Sequence, residues 1–335
     1  MNEYLVANEI YAGRSEELMK RIAPGSIALS FWSPPYFVGK AYELEETYDT
    51  WQEMLKTVIQ LHFSALKPGG FMVINIADIL AFKDETMPRI QGMNVSNHKS
   101  PVTKAMVLEA KAKFPQYNRD QLAAYLGCSE QTIDRRVNGN NIRGGKHQTQ
   151  TRVKLVGGSL EAYSYECGLY LYDKRVWKKD PAWANSRWTT NTLKAVSETE
   201  DLYIFWKPGE YVVNRSRLSE QEWKEWGYRQ VWDIPSVRKN DDHEAKFPEE
   251  LARRIVKLLS DPDDTVLDPF MGSGTTAVAA YKEKRQYIGI EKEKKYVALA
   301  KENLKQAQSQ LSLFESSKME NPRNAISLSA AVFQN

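Results

Sequence analysis

The sequence predicts an α/β protein with a doubly wound, mostly parallel sheet, interrupted by a helical insertion. Three observations predict it. Short apolar runs alternate with stretches of helical periodicity near both ends of the chain, as in βαβ units. The later unit carries a glycine loop between a strand and a helix. Between the two, residues 83–165 turn polar, basic and rich in Gly and Asn, with two helical islands.

The elements follow in order. Residues 4–36 read strand, helix, strand: Glu9-Ile10-Tyr11 leads to Gly13, Glu16 to Ile22 has helical spacing, Pro24-Gly25 turns, and Ile27-Ala28-Leu29 is a short apolar strand. That strand runs into Ser30-Phe31-Trp32-Ser33-Pro34-Pro35-Tyr36. A residue before proline is pushed towards extended backbone, and proline itself fixes φ and has no N–H. The stretch is therefore a stiff strand end that presents carbonyls, a hydroxyl and an aromatic ring, suited to gripping a flat, amine-bearing group. Trp51, Leu55, Val58, Ile59, Phe63 and Leu66 then recur at helical spacing, Lys67-Pro68-Gly69-Gly70 reads as a stop, and Phe71 to Ile76 is a buried strand.

Within the insertion, Arg119 to Val137 reads helix, tight turn, helix. A small residue, Ala123, is followed four positions later by Gly127 and then by the apolar Ile133, a pattern similar to a DNA-binding helix-turn-helix. From Lys99 to Lys154 there are 11 Lys and Arg against 4 Asp and Glu, which fits a polyanionic partner. The second helix offers Gln131, Thr132, Arg135 and Arg136 to a groove, with Arg143 and Lys146 beyond it.

The strand pattern resumes with Gly168 to Trp177 and Asp201 to Trp206. Ser219 and Glu222 form a capping-box pattern, and Pro248 opens a helix from Glu249 to Leu259. Seven of the nine tryptophans crowd 177–232 and are expected in core or interface. In the last βαβ unit, Thr265-Val266-Leu267 is a strand, Asp268-Pro269-Phe270-Met271-Gly272-Ser273-Gly274 a glycine loop, and Thr275 opens a helix. The next strand, Gln286 to Ile290, ends at Glu291. A further helix spans Tyr296 to Gln308, and a loose tail follows from about Ser309. Glycines let a ligand approach the backbone, a helix N-terminus follows, and an acid at the next strand end suits ribose hydroxyls. No Lys follows the glycines, so this is not a phosphate-gripping Walker loop. From the spacing alone NAD remains possible as the ligand.

No run of 18 apolar residues exists, so no membrane span is expected. The N-terminus lacks a basic-then-apolar signal, and Cys128 and Cys167 are far apart with no metal-ligand pattern. A cytoplasmic protein with free thiols and no metal site is expected.

Together, Ser33-Pro34-Pro35-Tyr36 and Asp268-Pro269-Phe270-Met271-Gly272-Ser273-Gly274-Thr275-Thr276 resemble the paired motifs of the permuted, β-class DNA amino-methyltransferases. The resemblance extends to Leu66-Lys67-Pro68-Gly69-Gly70, Lys246-Phe247-Pro248 and Tyr287-Ile288-Gly289-Ile290-Glu291. It implies a Rossmann-like methyltransferase sheet. It covers roughly 4–80 and 168–307, with 1–82 as the catalytic half and 166–308 as the rest of the methyltransferase domain with the cofactor half; 83–165, larger than the family leads one to expect there, reads as an inserted DNA-recognition region, and 309–335 as a flexible tail. It implies S-adenosyl-L-methionine held by Asp268, Pro269, Phe270, Gly272, Ser273, Gly274, Thr275, Thr276, Glu291, Phe247 and Pro248. Catalysis falls to Ser33, Pro34, Pro35 and Tyr36, with Tyr36 stacked on a flipped base. Ser at the first motif position leans towards cytosine N4, with adenine N6 as the alternative, and no cysteine motif suits C5 chemistry. Double-stranded DNA is the implied partner, alongside a cognate restriction endonuclease, and the chain is expected as a monomer or homodimer. Many members read Gly-Asp where this chain has Gly13-Arg14, so Arg14 inherits no cofactor role. The usual recognition position between Trp206 and Lys246 is short, which shifts DNA recognition to the insertion. Two other classes compete: a non-catalytic helix-turn-helix protein and a nicotinamide-dependent oxidoreductase.

Overall fold

The computed structural model describes residues 4–36, 47–77, 79–83, 100–138, 151–181, 195–237 and 246–320. Its strands are β1 (Glu9–Ala12), β2 (Ile27–Trp32), β3 (Leu66–Ile76), β4 (Ile79–Lys83), β5 (Thr151–Leu155), β6 (Tyr170–Lys178), β7 (Thr199–Trp206), β8 (Val231–Asp233), β9 (Thr265–Asp268) and β10 (Gln286–Glu291). Its helices are α1 (Ser15–Leu18), α2 (Tyr48–Ala65), α3 (Lys104–Lys113), α4 (Arg119–Tyr125), α5 (Glu130–Asn138), α6 (Gly157–Glu166), α7 (Glu220–Glu222), α8 (Glu249–Leu259), α9 (Thr275–Lys282) and α10 (Lys294–Glu320).

Eight strands form one sheet in the order β1-β10-β9-β2-β3-β7-β6-β8, and β4 pairs with β5 separately. From β1 to β3 all pairings are parallel. β7 enters antiparallel to β3 and to β6, and β8 runs parallel to β6. β2 is buried at all of its positions, which is why it reads as an apolar run rather than an alternation. The buried faces of α8, α9 and α10 form one core with Leu29, Phe31, Val73 and Val266. The faces of α1, α2 and α6 form the second core with Ile27, Trp32, Met72 and Leu267. The sheet is therefore doubly wound, as the sequence predicts. Its crossovers change face between β9 and β2, because α9 joins β9 to β10 on one side and α2 joins β2 to β3 on the other.

Three boundaries differ from the sequence reading. β3 begins at Leu66, not Phe71, because Gly69 and Gly70 bond the segment after β7: Gly69 N–H donates to the Lys207 carbonyl and Lys207 N–H to that of Gly70, each at 3.0 Å. Gly69 has φ +80°, and a Cβ there would sit 2.0 Å from the Glu210 carbonyl oxygen. The insertion ends at Arg152, short of the expected 165. Residues 156–166 belong to the sheet-bearing unit because Val156 and Leu160 are fully buried in its core and the Tyr163 hydroxyl donates to Gln52 Oε1 at 2.6 Å. The last helix runs past Ser309 to Glu320. Neither Gly nor Pro interrupts it before Pro322.

The inserted unit has its own small core: Val102, Val107 and Ala110 pack with Leu122, Ala123 and Ile133. Asn118 caps α4 in a capping box with Gln121. Gly127 takes φ +62° in the turn to α5, which is the left-handed turn expected there.

Beneath β2, His62 of α2 is fully buried and stacks on Trp32 at 5.6 Å. Its Nδ1 donates to the Val58 carbonyl at 2.7 Å and its Nε2 lies 2.8 Å from Ser30 Oγ. Burial lowers its pKa to about 4, so it is neutral near pH 7. Because the folded value lies below the ordinary 6.5, the contribution to stability is complete above that pH and is lost as pH falls through about 4. The loss amounts to roughly 3 kcal/mol. His62→Phe keeps a stacked ring and leaves Ser30 Oγ its contact with the Leu267 carbonyl. Denaturant titrations at pH 6.5 and 4.5 should show wild type losing more stability on acidification than this variant; equal losses would show that His62 carries no such linkage.

Candidate active site

The site is built on adjacent parallel strands. Leu29 pairs with Val266 and Ser30 with Leu267. The Ser33-Pro34-Pro35-Tyr36 stretch leaves the carboxyl end of β2, and the glycine loop leaves the carboxyl end of β9 beside it. Such ends, at a point where the crossovers change face, are where open α/β sheets bind ligands. The rings of Trp32 and Phe270 lie 5.3 Å apart and link the two loops. Phe247, just before Pro248 and α8, packs on Phe31 at 4.9 Å. The structure thus brings together the predicted residues of both motifs and the Phe247-Pro248 pair.

Hydrogen bonds set the shape of the glycine loop. Asp268 is almost fully buried; its carboxylate accepts from Thr276 Oγ1 at 2.6 Å and from Phe270 N–H at 2.9 Å. Glu291 accepts from Gly272 N–H at 2.9 Å and from Glu293 N–H at 2.8 Å, so it braces the loop from the end of β10. The Ser15 hydroxyl donates to the Pro269 carbonyl. Asn303 of α10 donates to the Ser273 carbonyl at 2.9 Å. Gly274 takes φ +90° at the start of α9, and a Cβ there would lie 2.9 Å from that of Ala300. Burial pushes the Asp268 carboxyl up to about 7; Glu291 adds to the rise, and the bonds from Thr276 and Phe270 oppose it. Two acids thus face one loop, and no Lys or Arg occurs from Asp268 to Tyr281.

The aromatic end of the first motif has supports that the sequence reading missed. Trp51 of α2, almost fully buried, donates from Nε1 to the Pro35 carbonyl at 2.7 Å. The Tyr36 hydroxyl donates to Glu200 Oε2 at 2.9 Å. Asn75 Nδ2 donates to the same oxygen, and the Lys179 ammonium pairs with Glu200 Oε1. Burial, and then the Glu200 charge, raise the Tyr36 phenol well above its usual value, so it stays protonated. An acid within the Glu198-Thr199-Glu200-Asp201 run at the start of a strand, and a lone Asn inside an apolar strand, were the available signals. Neither has a partner close to it in sequence.

In the inserted unit, Gln131 and Arg135 are exposed on α5 and Thr132 is half-buried. Glu130 and Asp134 are both paired with Arg119, at 2.7 and 2.9 Å. Arg136, expected to reach a groove, instead donates to the Val102 carbonyl at 2.7 Å and to that of Ser100 at 3.4 Å. Its guanidinium holds the unit together because the carbonyls before α3 need donors. Arg143 and Lys146 lie outside the described residues. Groups of His, Cys, Asp and Glu able to hold a metal ion do not occur among the described residues. No helix there is long and apolar enough to cross a membrane.

Fold and site define a doubly wound α/β protein with a nucleotide-type ligand loop beside a Pro-Pro aromatic grip. The DNA methylase family of N6/N4 type matches residues 27–302, and this chain belongs to it. It is 58% identical over 303 residues to the Type II methyltransferase M.BglI of Bacillus subtilis, covering 90% of this chain and 87% of that protein. A DNA modification methylase of Thermus thermophilus, solved with S-adenosyl-L-methionine, shares the fold at TM-score 0.56 and 23% identity, over 89% of this chain and 93% of that one. The cytosine-N4-specific PvuII DNA methyltransferase does so at TM-score 0.53 and 17% identity, over 89% and 86%.

Proposed function

We propose that this protein is an S-adenosyl-L-methionine-dependent DNA methyltransferase. It methylates the exocyclic N4 amine of cytosine within a specific site, in the manner of the modification enzyme of a restriction–modification system. The observation that carries this reading is the adjacency of the two motif-bearing loops on β2 and β9.

The residues of the glycine loop fit such a donor. Asp268 and Glu291 bring negative charge without a neighbouring cation on the loop, which suits a ligand with positive charge and ribose hydroxyls and disfavours a pyrophosphate. Asp268 to Thr276, Glu291, Phe247 and Pro248 are the residues proposed to hold it. When bound, the donor supplies an electrophilic methyl group on a sulfonium sulfur.

The chain's own contribution is orientation. The target base leaves the stack to be reached. The Ser33 hydroxyl and the Pro34 carbonyl accept hydrogen bonds from its amine and so direct the nitrogen lone pair. Tyr36 supplies the stacking face. The amine so held would take the methyl group as its bond to the donor's sulfur breaks, leaving a neutral thioether, and would release its proton to solvent. Orientation of this kind can lower a barrier by ~7–11 kcal/mol. No thiolate is required, and burial raises the Cys167 thiol, which agrees with that. The inserted unit presents α5 to DNA, with Gln131 and Arg135 as the proposed contacts. Ser33 is what favours cytosine.

Incubation with tritiated S-adenosyl-L-methionine and genomic DNA should transfer label to DNA, and mass spectrometry of the nucleosides should find 4-methylcytosine. No transfer to any DNA sinks the reading; 6-methyladenine would correct the base. Tyr36→Ala should lose about 10- to 100-fold in rate, the scale of a stacking platform worth ~1–3 kcal/mol, with donor binding intact.

Asp268 yields a pH dependence. A carboxyl that titrates near 7 is mostly protonated at pH 5.5 and half ionised at pH 7. A positively charged donor binds the ionised form, so calorimetry should find affinity rising about 10-fold between those values. Asp268→Asn should bind weakly with no such rise; an unchanged slope would remove Asp268 from the donor site.

For α5, replacing Gln131 and Arg135 together by Ala should weaken specific DNA binding while donor affinity holds. Unchanged binding in a gel-shift assay would make the helix structural.

A further inference from the structure

Resting on the methyltransferase reading above, we propose that Glu200 is a positioning residue for methyl transfer: through the Tyr36 hydroxyl it fixes the ring on which the target base stacks.

The argument starts from strand direction. β7 runs antiparallel to β3, so its first residues reach the rim where β2 and β3 end. Glu200 is the second residue of β7. It is 8% exposed, and a carboxylate so far removed from water is costly unless it is paired and hydrogen-bonded. Here it is both. Oε1 pairs with Lys179, and Oε2 accepts from Tyr36 and from Asn75. Asn75 is fully buried in β3, so its amide is a fixed donor that holds the carboxylate in one orientation. The chain Lys179–Glu200–Tyr36 is therefore anchored on sheet positions at Glu200 and Asn75 and ends on the last residue of the Pro-Pro motif.

That motif needs such an anchor. Pro34 and Pro35 stiffen the backbone up to Tyr36, and Trp51 pins the Pro35 carbonyl, but neither sets the side-chain torsions of Tyr36. The bond to Glu200 holds the hydroxyl end of the ring, where Ser33 and the Ala77 backbone also meet it. A hydrogen bond to a charged acceptor is among the stronger ones available; it fixes the phenol oxygen and so the direction of the ring axis, while packing on the second core limits rotation about that axis. A stacking surface held in one plane orients the base, and hence its amine, before the reaction.

A coupling experiment tests this. Wild type, Tyr36→Phe, Glu200→Ala and the double variant are compared in single-turnover methyl transfer to DNA. Tyr36→Phe keeps the ring and loses only the hydroxyl. Each single variant should lower the rate about 10-fold or more, with the double variant no slower than the slower single one. Glu200→Gln, which keeps an acceptor for the phenol, should recover part of the loss. Calorimetry should find donor affinity equal to wild type in all of them, and circular dichroism should confirm folding. Should Glu200→Ala fail to fold, Glu200→Gln takes its place in the same cycle, because Tyr36→Phe also removes the phenol's contacts with Ser33 and the Ala77 backbone. A wild-type rate in Tyr36→Phe, or losses that multiply in the double variant, would overturn the proposal. Wild-type enzyme inactive on every DNA would instead overturn the methyltransferase reading itself, so the two failures are distinguishable.

Discussion

The site depends on a short parallel ladder between two strands brought together from opposite ends of the chain. β2 and β9 are joined at Leu29–Val266 and Ser30–Leu267. The Ser30 hydroxyl lies 3.1 Å from the Leu267 carbonyl across the same pair. His62 meets that hydroxyl from below. A slip of one residue in a strand exchanges its faces. It would take Phe31 away from the core it shares with α8 and α9, Trp32 away from α2, and Ser33 away from its side of the rim. With both faces of β2 buried, such a slip has no tolerable alternative. Core packing thereby fixes the relative position of the two loops, and Phe270 and Tyr36 join that packing from the loops themselves.

Within that frame, the donor loop is held in a shape that its own electrostatics do not favour. Asp268 is buried near a second carboxylate, and its proton affinity rises accordingly. What compensates is a set of neutral donors: a Thr hydroxyl and the N–H groups of Phe270, Gly272 and Glu293. Neutral donors stabilise a carboxylate but do not cancel its charge. The two acids therefore leave net negative charge beside the loop, in keeping with the positively charged donor proposed above.

Much of this was legible in the sequence, because much of it is local. The apolar runs of β2, β3 and β9, the helical spacing of α2 and α8, the left-handed glycine at 127 and the Gly272/Gly274 loop each follow from a few adjacent residues. What escaped the sequence is set by distant partners. Lys67-Pro68-Gly69-Gly70 reads as a stop, yet it joins β3 because the segment after β7 supplies its hydrogen bonds. Residues 156–166 look like part of the basic insertion, yet two apolar side chains commit them to α2. Arg136 looks like a groove-reading residue, yet two carbonyls near the start of its own unit claim it. In each case composition describes the segment correctly, and a contact remote in sequence decides its role.

The antiparallel β7 is the most consequential of these. A purely parallel sheet can supply its ligand rim only from strand carboxyl ends, so every residue there follows a strand. One reversed strand admits a residue from a strand's beginning, which is anchored by ladder bonds rather than carried on a loop. Glu200 has that placement: Lys178 faces Thr199 and Trp177 faces Glu200 on β6, while Asp201 faces Ile76 on β3. Lys179 reaches the rim in the ordinary way, directly after β6, whose direction matches β3 because it is antiparallel to β7. A loop-borne acid would have to lose loop freedom each time it met the phenol of Tyr36. A strand-borne acid has already lost that freedom on folding, so its hydrogen bond costs little further entropy when the ring must be held still.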